Sequence, residues 1–243
     1  MTENDTPDTV KTEPAGLMAT TINIFTSPSE AFTELLQRPT KLFPLVLIMA
    51  SQVVVLFWYF TIVDFDWFID DTLLTTRDLT EAQMEAGREQ LQSMSQSTFR
   101  IFGVLGGSVG VLIIFVLQAG YLSLVSALIG DKFKFTNWFS LITWTGLPFL
   151  LAVIGQVVNL LLSPNGQLSA IDLNPLTLAN LGMEAEGSLR TIMQSIDLTI
   201  IWSLSLVVVG YKQWLDSSWT KALSVVLAPY VLILSIWAYF TFT

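Results

Sequence analysis

The chain has 243 residues, of which 52% are hydrophobic and only 13% charged. Soluble domains carry roughly 25% charged side chains, so this balance, with a mean hydropathy of +0.61, excludes an ordinary water-exposed surface. The absence of Cys and His removes disulfides, the usual zinc ligand sets and every Ser-His or Cys-His catalytic pair, and a net charge of −9 argues against a nucleic-acid partner.

Residues 1–15 are polar and acidic, too poor in apolar side chains to order, and they lack the basic and apolar regions of a signal peptide. From 16 to 38 the pattern becomes amphipathic. Met18, Ile22 and Phe25 recur at helical spacing, and Ser27-Pro28-Ser29-Glu30 supplies an N-cap, a proline at the first helical position and a Glu three residues after the cap. Ala31, Phe32, Leu35 and Leu36 form one stripe before Pro39. Two readings stand: an interfacial contact carried by Phe25, Pro28, Phe32 and Leu36, or helices packed under their own bundle.

Residues 39–243 form the membrane domain. A hydrocarbon core about 30 Å thick needs roughly 20 apolar residues in a helix. Leu42–Val63, Ile101–Gly130, Phe135–Ile171 and Ala222–Thr243 are free of charge. The third is too long for one crossing, and Ser163-Pro164-Asn165-Gly166 predicts a turn that ends it. Leu198–Tyr211 crosses only by admitting Asp197 or letting Lys212 snorkel. The spacing therefore predicts an all-α bundle of five transmembrane spans, near 42–63, 101–129, 137–162, 194–212 and 222–242, with an N-terminal amphipathic helix. Pro148 and Pro229 are expected to kink the third and fifth spans.

Loops 64–100 and 163–193 carry four Lys and Arg residues, and the other segments outside the spans carry seven. That bias predicts a cytoplasmic N-terminus and an outer C-terminus. Four acids within 64–71 lack the Gly and Glu of a calcium loop and read as a solvated rim. Thr80 with Gln83 resembles a capping box, and from Glu81 the pattern predicts one helix running unbroken into the second span.

Gly106-x-Ser108-x-Gly110 matches a hydrolase nucleophile pattern, but it lies mid-helix in a chain without His. Gly103, Gly106, Gly107 and Gly110 instead make two overlapping small-residue repeats that favour helix packing in lipid. Asp197 lies about 7 Å inside the outer boundary if its span starts at Ile192. Either it caps the helix at the interface, or it shares an outer-leaflet polar pocket with Asn159 and Gln156. Gln52 and Gln118 fall near mid-membrane, where their amides need partners. No catalytic, cofactor or metal site is expected.

The chain resembles the Yip-domain proteins, named for interaction with Ypt and Rab GTPases, and particularly their bacterial relatives. The resemblance runs from about Leu17 to Tyr239. It rests on Ile24-Phe25-Thr26-Ser27-Pro28 with Ala31-Phe32, on Gly130, Phe133, Phe135 and Trp138 leading to Pro148, on Asp172-Leu173-Asn174-Pro175, and on Trp202, Gly210-Tyr211 and Pro229. It implies a five-span bundle with a cytoplasmic N-terminus and a non-enzymatic role; eukaryotic members act in vesicle traffic and membrane shaping. The Asp-Leu-Tyr-Gly-Pro element of those members is absent here, which argues against GTPase binding. The expectation is a multi-pass protein of a bacterial inner membrane that binds lipids, other membrane proteins or a second copy of itself. The competing reading is a small transporter or channel.

Overall fold

In the computed structural model, residues 16–76, 79–163, 165–183 and 187–242 are described. The expected polar tail at 1–15, and Pro164 of the expected turn, lie outside them. The described residues form eleven helices, and their one β feature is an isolated antiparallel bridge between Thr177 and Asp197. The helices are α1 (Leu17–Thr26), α2 (Pro28–Gln37), α3 (Leu42–Ile62), α4 (Phe65–Thr75), α5 (Glu81–Gln92), α6 (Gln96–Ile129), α7 (Phe135–Thr145), α8 (Phe149–Leu162), α9 (Gly187–Ser195), α10 (Leu198–Trp214) and α11 (Trp219–Phe242).

Four stretches are long and apolar enough to cross a membrane: α3, α6, α7 with α8, and α11. A chain built this way is a polytopic helical membrane protein, because only helices or closed barrels satisfy their backbone polar groups inside lipid. The short α10 has 17 residues, about 26 Å at helical rise. It begins at Leu198 because the chain turns out of helix at Ile196 and Asp197, leaving α9 as a separate element.

The break between α7 and α8 falls at Gly146–Pro148, where the proline cannot donate to the preceding turn. Pro229 lies inside α11, which continues through it. One sequence-based expectation fails. The helix predicted to run unbroken from Glu81 stops at Gln92 and restarts at Gln96, because Ser95 takes extended geometry and accepts from Thr98 N–H at 3.2 Å. A new N-cap is worth about 1 kcal/mol, enough to break a polar stretch that no packing holds straight.

Two apolar cores follow. At the α1–α2 end, Ile24, Phe32 and Leu35 pack with Trp138, Leu141, Trp144, Leu206, Tyr211 and Trp214. At the α4–α5 end, Val55, Tyr59, Val63 and Phe68 pack with Val153, Leu160 and Leu173. The ring of Phe68 meets those of Tyr59, Phe60 and Phe99 edge-on. The α4–α5 hairpin lies over this second core. It is started by Asp64, which accepts from Trp67 N–H, and by the Thr80–Gln83 capping box, and Arg88 pairs with Asp70 at 2.6 Å.

The loop after α8 is built into the bundle. Gly166 takes φ +66, and its carbonyl accepts from Asp64 N–H at 3.0 Å. A Cβ there would collide with the Ile62 carbonyl, so this turn needs glycine on both counts. Tyr59 then donates to Leu168 O, Ser169 to Asp71, and Asn159 to Asp172 O and Leu173 O.

Candidate functional site

The first candidate is the N-terminal hairpin. Thr20 donates to Glu34 at 2.8 Å, across from α1 to α2, so the two helices run back on each other about Ser27 and Pro28. The proline fills the first position of α2 and Glu30 lies in its first turn, where a negative charge meets the helix dipole. Phe32 is fully buried, Leu36 is half-buried against the same core, and Pro28 is half-buried.

Buried indole groups fasten this hairpin. Trp214 Nε1 donates to Phe32 O at 3.0 Å, and Gln213 donates to Ser29 O and Thr33 Oγ1, both at 2.8 Å. Trp144 Nε1 donates to Thr40 O at 2.8 Å, just before α3. The Trp214 ring stacks on Phe133 and leans on Trp138, which stacks on Tyr211. Of the two readings for this segment, the packed one describes α2.

The outer face of α1 is different. Ile24 and Thr20 are buried, whereas Met18 is 70% exposed, Ile22 54% and Phe25 36%. Phe25 rests edge-on against Trp202 of α10, ring centroids 5.5 Å apart. Trp202 itself is 40% exposed. It stands about 18 Å along α10 from Trp214 at helical rise. The exposed face of α1 is therefore continuous with the apolar outside of the bundle. No charged residue occurs between Gly16 and Ser29.

The second candidate surrounds Asp197, which is 5% exposed. Its Oδ1 accepts from Thr199 N–H at 2.7 Å, Ile200 N–H at 2.9 Å and Thr199 Oγ1 at 2.6 Å. Its Oδ2 accepts from Asn174 Nδ2 at 2.8 Å. Asn174 is aimed by its own neighbours: its Oδ1 accepts from Leu176 N–H and its carbonyl from Asn180 Nδ2. The paired backbones close the arrangement, with Leu178 N–H on Ile196 O and Leu198 N–H on Leu176 O. Four donors on one carboxylate compensate its removal from water.

Asn159 and Gln156 are not hydrogen-bonded to that carboxylate. Asn159 spends its amide on the loop, and Gln156 Oε1 is buried without a partner among the described residues. Gln52 Oε1 and Ser108 Oγ share that condition, and Gln118 is half-buried. The partner that sequence reasoning missed is Asn174. The signal was an Asn-Pro pair in the loop that precedes α10, on the same side as an unaccounted carboxylate.

The glycine repeats divide. A Cβ at Gly103 would strike the Phe60 ring and one at Gly107 would strike Leu56, so these two let α6 close on α3, whereas Gly106 and Gly110 face open space. Three of the four acids at 64–71 are engaged separately, Asp64 capping α4, Asp70 on Arg88 and Asp71 on Ser169, and Asp66 lies in the first turn of α4. Among the described residues no cluster suited to a metal ion occurs.

Fold and surface together define a multi-pass helical membrane protein. The chain matches the Yip1 domain over residues 22–240 and belongs to that family. Neither a curated protein nor a solved structure gives a significant match to it.

Proposed function

We propose that this protein is a non-catalytic component of a bacterial inner membrane. In this reading it crosses five times with its N-terminus in the cytoplasm, and organises its surroundings by holding lipid or other membrane proteins at that face. The observation that carries the reading is the division of labour within residues 16–38. The helix α2 is clamped by Gln213 and Trp214, while α1 presents Met18, Ile22 and Phe25 outward beside Trp202. Such a face, laid against the outside of α10 at Trp202, has the character of a helix whose apolar side meets acyl chains. Phe25, Pro28, Phe32 and Leu36 then share the work: Phe25 touches lipid, and the other three hold the hairpin to the bundle.

Because the chain has no cysteine, a spin label placed by Ile22→Cys reports on that position alone. In lipid bilayers the label is expected to be relaxed by oxygen in preference to a water-soluble nickel complex. A label at Glu30→Cys is expected to show the reverse. Preferential nickel access at position 22 would remove the lipid contact on which the reading depends.

A second reading, a small transporter or channel, is favoured by one observation: Gln52, Gln156 and Ser108 each carry a buried oxygen without a partner among the described residues. Its polar cavity would comprise Gln52, Gln118, Gln156, Asn159 and Asp197. Solute movement into liposomes that disappears in Gln52→Leu and Gln156→Leu would establish it and displace the scaffold reading.

A further inference from the structure

We propose that the cleft between α10 and α11 is a binding site for one anionic phospholipid, with an acyl chain along the cleft and the phosphate at Lys212. This site is separate from the α1 face and does not depend on it. One wall is Ile201, Ser205 and Val208 of α10; the other is Trp219, Leu223 and Leu227 of α11. The steps 201, 205, 208 and 212 follow one helical stripe. Lys212 therefore ends the α10 wall of the cleft. Its ammonium lies 5.2 Å from the centroid of Trp219, which lines the opposite wall, so the cation is held at the mouth by the ring face.

Length and charge select the occupant. From Ile201 to Lys212 the wall runs about 16 Å at helical rise, close to half of a hydrocarbon core about 30 Å thick. That is the depth of one leaflet. Lys212, half-buried, makes no ion pair among the described residues, and Lys221 adds a second cation, exposed, at the same end. The acid in the connecting turn, Asp216, is also exposed and unpaired among the described residues. A lipid phosphate supplies Lys212 with the counter-ion that it lacks among the described residues. In a chain of net charge −9, two lysines at the mouth of an apolar cleft favour an anionic headgroup over a zwitterionic one.

The test is native mass spectrometry of the purified full chain, titrated with equimolar phosphatidylglycerol and phosphatidylcholine of matched acyl chains. The expected result is one strongly retained phosphatidylglycerol. Lys212→Gln is expected to lower its preference over phosphatidylcholine about fivefold, and Lys212→Arg to preserve it. Ser205→Trp, which fills the cleft, is expected to lose the retained lipid of either class. Equal retention of the two lipids by the unmodified chain, or an unchanged preference in Lys212→Gln, would overturn the proposal. So would a dimer that vanishes in Ser205→Trp, because a second copy would then be the occupant. The Lys212 variants change only an end of the cleft, so they decide the matter even if Ser205→Trp does not fold.

Discussion

Asn174 and Asp197 are joined across the junction of the 165–183 loop and α10, amide to carboxylate at 2.8 Å, and this contact sets where α10 begins. Three further donors from Thr199 and Ile200 complete the carboxylate. Asp197→Leu removes the helix cap and leaves the Asn174 amide unpaired, a loss of about 2–4 kcal/mol when the two are combined. Asp197→Asn keeps the cap acceptor and is expected to cost about half as much. Thermal unfolding of detergent-solubilised protein, followed by circular dichroism, measures both.

Phe32 and Met18 offer a contrast on one hairpin. Phe32 is fully buried under Trp214, and Met18 is exposed. Phe32→Ala is expected to cost about 3–5 kcal/mol and to release the hairpin, so that limited trypsin cuts after Lys41 much faster, the Arg38–Pro39 bond being resistant. Met18→Ser is expected to leave unfolding in detergent unchanged within about 0.5 kcal/mol. Equal trypsin rates for Phe32→Ala and the parent chain would show that the hairpin is not held through this residue.

The two small-residue repeats on α6 make opposite predictions, even at the adjacent positions Gly106 and Gly107. Gly107→Leu drives a side chain into Leu56 of α3 and is expected to cost about 1–3 kcal/mol through overpacking. Gly106→Leu and Gly110→Leu point into open space and are expected to be silent. Melting points from fluorescence-detected size exclusion would rank the three. If Gly106→Leu were the damaging one, the packing face of α6 would be the other repeat.

The membrane character was legible because it depends on long-range composition alone. A run such as Leu42–Val63 without a charge has one stable environment. Turn chemistry was legible at Ser163–Gly166 for a local reason, since Gly166 takes positive φ there. The break at Ser93–Ser95 was not, because Glu81–Gln92 is rich in good helix formers and no Gly or Pro stands between Gln92 and the second span, so only the Ser95–Thr98 contact decides between one helix and two. The Asp197 site was half legible. A carboxylate at the edge of an apolar run announces a cap, but a partner 23 residues earlier in a loop becomes visible only once the loop is folded back over α8. The outward face of α1 was ambiguous in sequence for a related reason. Periodicity marks an apolar stripe without saying whether protein or lipid covers it, and here Phe32 met protein while Ile22 did not.

Five crossings require the 17 residues of α10 to traverse the bilayer. Single cysteines at Glu85, Lys132, Arg190 and Thr220, introduced into a chain without any other, can be tested with a membrane-impermeant maleimide in intact cells of a bacterial host. Five crossings predict that Glu85→Cys and Arg190→Cys label from outside, and that Lys132→Cys and Thr220→Cys label only after permeabilisation. Arg190→Cys and Thr220→Cys reacting from the same side would contradict it.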